Sequence, residues 1–301
     1  MTKVKKEILF IVGGLVVALI ELVLIVVLLV HNRTAIAPVL ESEQTSITTT
    51  MTEPTVPTLP PLPGNGFSPE DFVKNEAGFM TCTKQDYLIG IDVSSHQGEI
   101  DWKKVKEAGV EFVFIRVGGR GYGYEGNLFR DERAKANYEG AKANGLLVGA
   151  YFFSQALDKY EAREEAQLVL EMTEGWQLDF PVAFDWEYLH FEARTDDMTK
   201  EEITECALAF CDELEKNGVQ PMLYTGVNAR TLDLYQVQQY PMWLALYSDT
   251  MYYHNWMSFW QYSCTGRVDG IQTDVDLNIF LPGEYLALNS AVEPTEPTET
   301  K

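Results

Sequence analysis

Residues 181–187 read Pro-Val-Ala-Phe-Asp-Trp-Glu (PVAFDWE). An apolar run closing on two acids spaced i, i+2 suits a buried strand that ends at a polar surface. The segments on either side have the other period. Asp158–Glu174 carries a helical pattern, and Thr199-x-x-Glu202 is a capping box opening a helix that ends near Asn217-Gly218. Working outward, the unit repeats. Tyr87–Val93 (YLIGIDV) reads as a strand, Asp101 as the N-cap of a helix WKKVKEA, and Gly109 as its C-terminal glycine. Phe112–Val117 is a second strand, Asp131–Asn144 a helix closed by Gly145, and Leu146–Ser154 (LLVGAYFFS) a third strand. PVAFDWE is the fourth and Pro221–Thr225 the fifth. Beyond it the long helical patterns fade, and Met242–Tyr247, Ser258–Ser263 and Val275–Phe280 read as three more strands.

Strand–helix alternation predicts a parallel sheet, and eight strands suffice to close a ring. The expected fold is α/β, an irregular TIM-like barrel of five βα units plus three further strands, over residues 86–289. An open doubly wound sheet competes, but five units followed by three bare strands are unusual for it.

The rest of the 301 residues has a different character. Ile8–Val30 is an apolar run interrupted only by Glu21, and at ~1.5 Å per residue it spans about 35 Å as a helix, enough for a bilayer core. Lys3, Lys5 and Lys6 precede it, so residues 1–7 are expected in the cytoplasm and the remainder outside the cell. A cleaved signal peptide is the rival reading, with Ala35-Ile36-Ala37 as a cleavage triplet. Its apolar stretch is normally shorter, and Pro38 would follow the cut. Residues 31–85 are rich in Thr and Pro (SITTTMTEPTVPTLPPLPGNG) and read as an unfolded stalk, about 170 Å long if fully extended. Residues 290–301, with EPTEPTETK, read as a disordered acidic tail. The expected location is the cell membrane, as a single-pass protein held through residues 8–30.

Forty-five acidic against 23 basic residues give a net charge of −22, which argues against nucleic acid as a partner. Four histidines lack H-E-x-x-H spacing, and no G-x-S-x-G elbow is present, so a zinc hydrolase and a serine esterase are poorly supported. Gly121–Gly126 matches G-x-G-x-x-G but leads into no helix, so it reads as a loop at the barrel mouth rather than a dinucleotide site. No metal or organic cofactor is expected. Cys206 and Cys211 read as separately buried thiols, while Cys82 and Cys264 flank the first and seventh strands and a disulfide between them is conceivable.

In parallel barrels chemistry gathers where the strands end. Asp92 ends the first strand and Asp185 and Glu187 the fourth, the latter two on one face of it. Asp276 sits early in the last strand, which in a closed barrel lies beside the first. Carboxyls held together cannot all ionise cheaply, and a raised carboxylic acid beside an ionised partner suits protonation of a glycosidic oxygen. Tyr151, Tyr188, Tyr224, Trp243, Trp260 and Tyr262, in or near strand ends, offer flat faces suited to sugar rings.

The segments GIDVSSHQGEIDW, GAYFFS, FDWE and WQYSCTGRVDGIQTDVDLN, in this order, resemble the family 25 glycoside hydrolases, the Chalaropsis-type lysozymes, over Asp86–Pro282. The resemblance implies a barrel of five βα units plus three strands. It also implies cleavage of the β-1,4 bond between N-acetylmuramic acid and N-acetylglucosamine in peptidoglycan strands, with retention of configuration. Glu187 corresponds to the general acid, and Asp185, Asp92 and Asp276 to the other active-site carboxylates. Tyr151, Tyr224, Trp243 and Gln261 resemble sugar-groove residues, and Arg116 a group orienting a carboxylate or the lactyl substituent. Tyr124–Asn127 departs from the family, where many relatives carry an aspartate. Two alternatives stand beside this reading: a non-catalytic wall-glycan binding module, and a hydrolase of another N-acetylated glycan such as chitin. The PVAF before Asp185 lacks the D-x-x-D-x-D-x-E pattern of the latter.

Overall fold

The computed structural model describes residues 59–227 and 231–285. The chain enters through an antiparallel hairpin, β1 (Phe72–Lys74) and β2 (Met80–Cys82). The strands that follow are β3 (Leu88–Val93), β4 (Phe112–Arg120), β5 (Leu128–Arg130), β6 (Leu147–Ser154), β7 (Val182–Trp186), β8 (Pro221–Gly226), β9 (Met242–Ala245), β10 (Phe259–Gly266) and β11 (Val275–Phe280). From β3 through β4, β6, β7, β8 and β9 to β10 each neighbour runs parallel. β11 lies antiparallel between β10 and β3 and closes the ring. Eight strands therefore form the barrel, and β5 adds antiparallel to the carboxyl end of β4.

Helices α1 (Trp102–Glu107), α2 (Ala134–Ala143), α3 (Lys159–Met172), α4 (Lys200–Lys216) and the single turn α5 (Leu234–Val237) occupy the first five crossovers. The β9–β10 and β10–β11 links carry none. This is the expected count of five units and three strands. α4 shows why the local reading works. Glu202 N–H donates to Thr199 Oγ1 at 3.3 Å while Thr199 N–H donates back to Glu202 Oε2 at 2.9 Å. Behind this cap Ile203, Cys206, Ala207, Phe210 and Leu214 form the buried stripe.

The period of two along each strand sorts side chains into two cores. Outward residues such as Ile91, Val113, Ile115, Val148, Phe152 and Phe184 meet the helices. Inward residues plug the barrel: Phe112, Phe114, Phe180, Met222, Phe259 and Phe280 pack together, with Trp243 above them. Phe112 meets Phe180 edge-on at 5.4 Å and Phe259 at 5.7 Å, and Phe259 stacks on Phe280 at 4.5 Å. Each such ring contributes roughly 1.5–3 kcal/mol by leaving water. Two positions must be glycine to admit them. A Cβ on Gly90 would sit 2.2 Å from the Phe112 ring, and one on Gly149 2.2 Å from the Phe114 ring.

One expectation is corrected here. Residues 59–85, read as the end of the stalk, are folded. Phe67, Phe72, Phe79, Met80 and Cys82 are buried, and Phe72 meets the outer face of Trp260 at 5.1 Å. The physical reason is that β10 and β11 have no crossover helix to cover them, so the hairpin supplies the missing apolar layer. Cys82 is a buried free thiol and Cys264 an exposed one, so no disulfide joins them; Cys206 and Cys211 are free and buried. The expected span 8–30, stalk residues 31–58 and the tail 290–301 lie outside the described residues. Among the described residues no helix is long and apolar enough to cross a membrane.

Candidate active site

The inward columns that are aromatic at the barrel floor become acidic at its mouth. β3 continues from Gly90 to Asp92, β7 from Ala183 to Asp185 and then Glu187, and β11 carries Asp276 and Asn278 on the same inward face. Antiparallel register sets Asp276 directly opposite Asp92. Around the ring β7 lies four strands from β11, so Asp185 and Glu187 face the Asp92–Asp276 pair across the mouth. A pocket of about 110 Å³ is lined by all four carboxyls with Tyr151, Tyr224, Trp243, Tyr247 and Gln261. It shares Glu187, Tyr224 and Tyr247 with a groove of about 670 Å³ that also meets Tyr188, His190 and Tyr252.

Asp92 is the best-anchored acid. Gln261 Nε2 and Asn278 Nδ2 each donate to its Oδ2 at 2.8 Å. Those amides are themselves oriented. Tyr224 OH and Tyr247 OH donate to Gln261 Oε1 at 2.9 and 3.1 Å, and Trp243 Nε1 donates to Asn278 Oδ1 at 2.8 Å. With their oxygens taken, both amides must present N–H to the carboxylate. Burial pushes the Asp92 carboxyl well above the usual range, and the Asp276 and Glu187 charges add to this, while the two amide donors oppose it.

Asp185 and Glu187 share a side-chain hydrogen bond. Asp185 Oδ1 is buried without a hydrogen-bond partner, and the bond the two carboxyls share raises Asp185 while lowering Glu187. Burial, then the Glu187 and Asp92 charges, hold Asp185 well above its ordinary value. Burial also raises Glu187, against the Asp185 hydrogen bond and the charge of His190. Asp276 is pushed up to about 6 by burial and Glu187. Four acids around so small a pocket retain protons at pH values where free carboxyls have lost them.

Of the residues singled out from sequence, Asp92, Asp185, Glu187, Asp276, Tyr151, Tyr224, Trp243 and Gln261 come together. Arg116 does not line the pocket. Its Nε and Nη2 hold Asp131 at 2.9 Å, and Nη2 also holds Ser95 Oγ at 3.1 Å, although its charge favours ionised Asp185. Asp131, read as the start of a helix, is thus an arginine partner. Trp260 and Tyr262 face away from the site toward the entry hairpin; Tyr262 OH accepts from Met80 N–H at 3.1 Å. Sequence reasoning missed Asn278, Tyr247, Tyr252 and His190. Asn278 stands two places after Asp276, so the alternation that paired Asp185 with Glu187 would have found it. Tyr252 and His190 sit in loops and carry no such signal.

The family model for glycosyl hydrolases family 25 matches residues 91–271. The chain belongs to this family. The autolytic lysozyme of Clostridium acetobutylicum is 32% identical over 210 residues, covering 69% of this chain and 60% of that protein. Lysozyme M1 of Streptomyces globisporus is 29% identical over 213 residues, covering 64% of this chain and 67% of that one. Among solved structures, the bacterial lysozyme from Streptomyces coelicolor superposes with a TM-score of 0.53 at 26% identity, over 70% of this chain and all of that one. The family 25 match contains Asp92, Asp185 and Glu187. Asp276, Asn278 and the entry segment 59–85 lie outside it.

Proposed function

We propose that this family 25 chain is a peptidoglycan hydrolase that cleaves the β-1,4 bond between N-acetylmuramic acid and N-acetylglucosamine. The reading rests above all on Glu187, hydrogen-bonded to Asp185 where the small acidic pocket meets the open groove. Glu187 is the general acid, since its raised carboxyl keeps a proton for the departing oxygen.

Asp185 is too close to Glu187 to stand on the far face of the sugar, because a hydrogen-bonded pair lies well inside the roughly 5–5.5 Å that separates acid and nucleophile in retaining enzymes. Its role is to hold the acid and then accept the N–H of the sugar's acetamido group, whose oxygen attacks the anomeric carbon. Asp92 and Asp276, on the opposite wall, stabilise the positive charge that develops there. Tyr151, Tyr224, Trp243 and Tyr247 flank the bound sugar.

The reading extends to the remainder of the chain. Residues 8–30 anchor it with the N-terminus in the cytoplasm and the barrel outside. Residues 31–58 are the tether, reaching roughly 90 Å at ~3.1 Å per residue when extended, and residues 290–301 are an acidic tail. Tethered in this way, the enzyme remodels its owner's wall.

The test is digestion of purified peptidoglycan followed by borohydride reduction and mass spectrometry of the new ends. Reduced muramic acid ends, lost in Glu187→Gln with glycan binding retained, are expected. Glucosamine ends would overturn the bond assignment, and binding without new ends would make the domain a glycan-binding module.

A further inference from the structure

The groove wall nearest β10 is a stretch without helix or strand, residues 246–257, that carries Tyr247 and Tyr252. Both rings are about half exposed, at 53% each, so little of their own packing holds them. The loop is held from outside the family match by the entry segment. Asn65, only 5% exposed, donates through Nδ2 to Tyr253 O at 2.8 Å and to Asn255 O at 2.9 Å. Its backbone N–H donates to His254 O at 3.1 Å, and Trp256 N–H donates to Pro63 O at 2.9 Å. Gly64 and Asn255 form an antiparallel bridge. Asn65 Oδ1 accepts from Phe67 N–H at 2.9 Å, so every polar atom of this one side chain is used.

The loop is also tied to the barrel. Tyr247 OH donates to Gln261 Oε1, and Gln261 Nε2 donates to Asp92. At the loop's other end Leu246 N–H donates to Gln261 O at 3.0 Å and Leu246 O accepts from Trp260 Nε1 at 2.8 Å. The loop is thus pinned at one end by the barrel and at the other by Pro63–Phe67, with Tyr252 between them.

We propose that Pro63–Phe67 is a strap that positions the glycan-binding loop, with Asn65 as its positioning residue; this rests on the hydrolase reading above. The strap touches neither substrate nor carboxylates. It fixes Tyr247 and Tyr252 before a glycan strand arrives, so the strand need not order them on binding. The catalytic unit therefore begins near residue 63, not where the family match begins.

The experiment uses the full chain carrying Asn65→Ala, with turnover of soluble glycan strands followed by reducing-end release and amide exchange of residues 246–257 followed by mass spectrometry. Loss of the three side-chain hydrogen bonds of Asn65, two of them to the loop, should raise KM about tenfold. kcat should stay within about twofold and the pH profile should not move, because Tyr224 still orients Gln261 and both amide donors to Asp92 remain in place. Exchange in 246–257 should quicken, and Asn65→Ala should add nothing to KM in a Tyr247→Ala/Tyr252→Ala background. Asn65→Asp, which keeps the shape but sets an oxygen against two carbonyls, should match or exceed the alanine defect. If Asn65→Ala does not fold, Asn65→Ser, with one donor left, should give an intermediate KM. An unchanged KM with wild-type exchange would overturn the proposal, as would a KM effect that persists undiminished in the double-tyrosine background. Wild-type protein that binds strands without cutting them would overturn the hydrolase reading alone, the strap then being judged on Kd and exchange; protein that neither binds nor cuts would overturn both.

Discussion

Replacing Gln261 by Met tests the acidic pocket directly. The side chain keeps its length and approximate volume but loses the Nε2 donor that meets Asp92 Oδ2 at 2.8 Å. Tyr224 and Tyr247 lose their shared acceptor, but Tyr247 is half exposed, so it can accept from Tyr224 and turn its own hydroxyl to solvent. A hydrogen bond to a buried charge contributes roughly 1.5–3 kcal/mol, and 1.36 kcal/mol corresponds to one pKa unit, so the Asp92 carboxyl should rise by about one to two units. The four acids titrate as a set, but the direction is fixed: removing a donor to the ionised form makes ionisation harder. The acid limb of the pH profile of kcat/KM on glycan strands should therefore move about one to two units upward, with activity above the new limb largely retained. Asn278→Leu, which removes the second donor to the same oxygen, should shift the limb in the same direction. A limb unmoved in both variants, or moved downward, would refute Asp92 as a working carboxylate.

Three further outcomes follow from the packing and the site. Gly90→Ala drives a methyl into the Phe112 ring at the barrel floor; overpacking of this kind costs about 1–3 kcal/mol, and calorimetry should find the unfolding midpoint about 2–10 °C lower, partly restored by Phe112→Leu. Asp276 has its carboxyl raised to about 6, so it binds protons more tightly folded than unfolded and its contribution to stability is lost as pH rises from about 4 through 6. Asp276→Asn should flatten that part of the stability–pH curve, and an unchanged slope would remove Asp276 from the coupled set. Thiol titration of the native protein should label Cys264 alone and all four cysteines after denaturation; fewer than four in denaturant without reductant would reveal a disulfide.

The barrel was legible in the sequence because its signals are local. Asp101 and the Thr199–Glu202 box cap helices through residues three places away. The Asp185–Glu187 pair faces one way because strand alternation has a period of two. Asp276 could be set beside Asp92 because a closed ring leaves its last strand no other neighbour. The partners of buried polar side chains far apart in sequence were decided only by tertiary structure. Asn65 meets the Tyr253 carbonyl 188 residues away, and Asn278 meets Asp92 186 residues away. Composition misread residues 59–85 because their few apolar side chains have no period of their own; they are buried by Trp260 and Tyr262 of a strand that no helix covers. Arg116 had the right charge at the right strand end, and its partner was fixed by Asp131, which the fold turns back onto it. Short-range hydrogen bonds and side-chain periodicity are written in neighbouring residues, whereas burial and the partner of a buried polar group depend on which distant segment arrives to cover them.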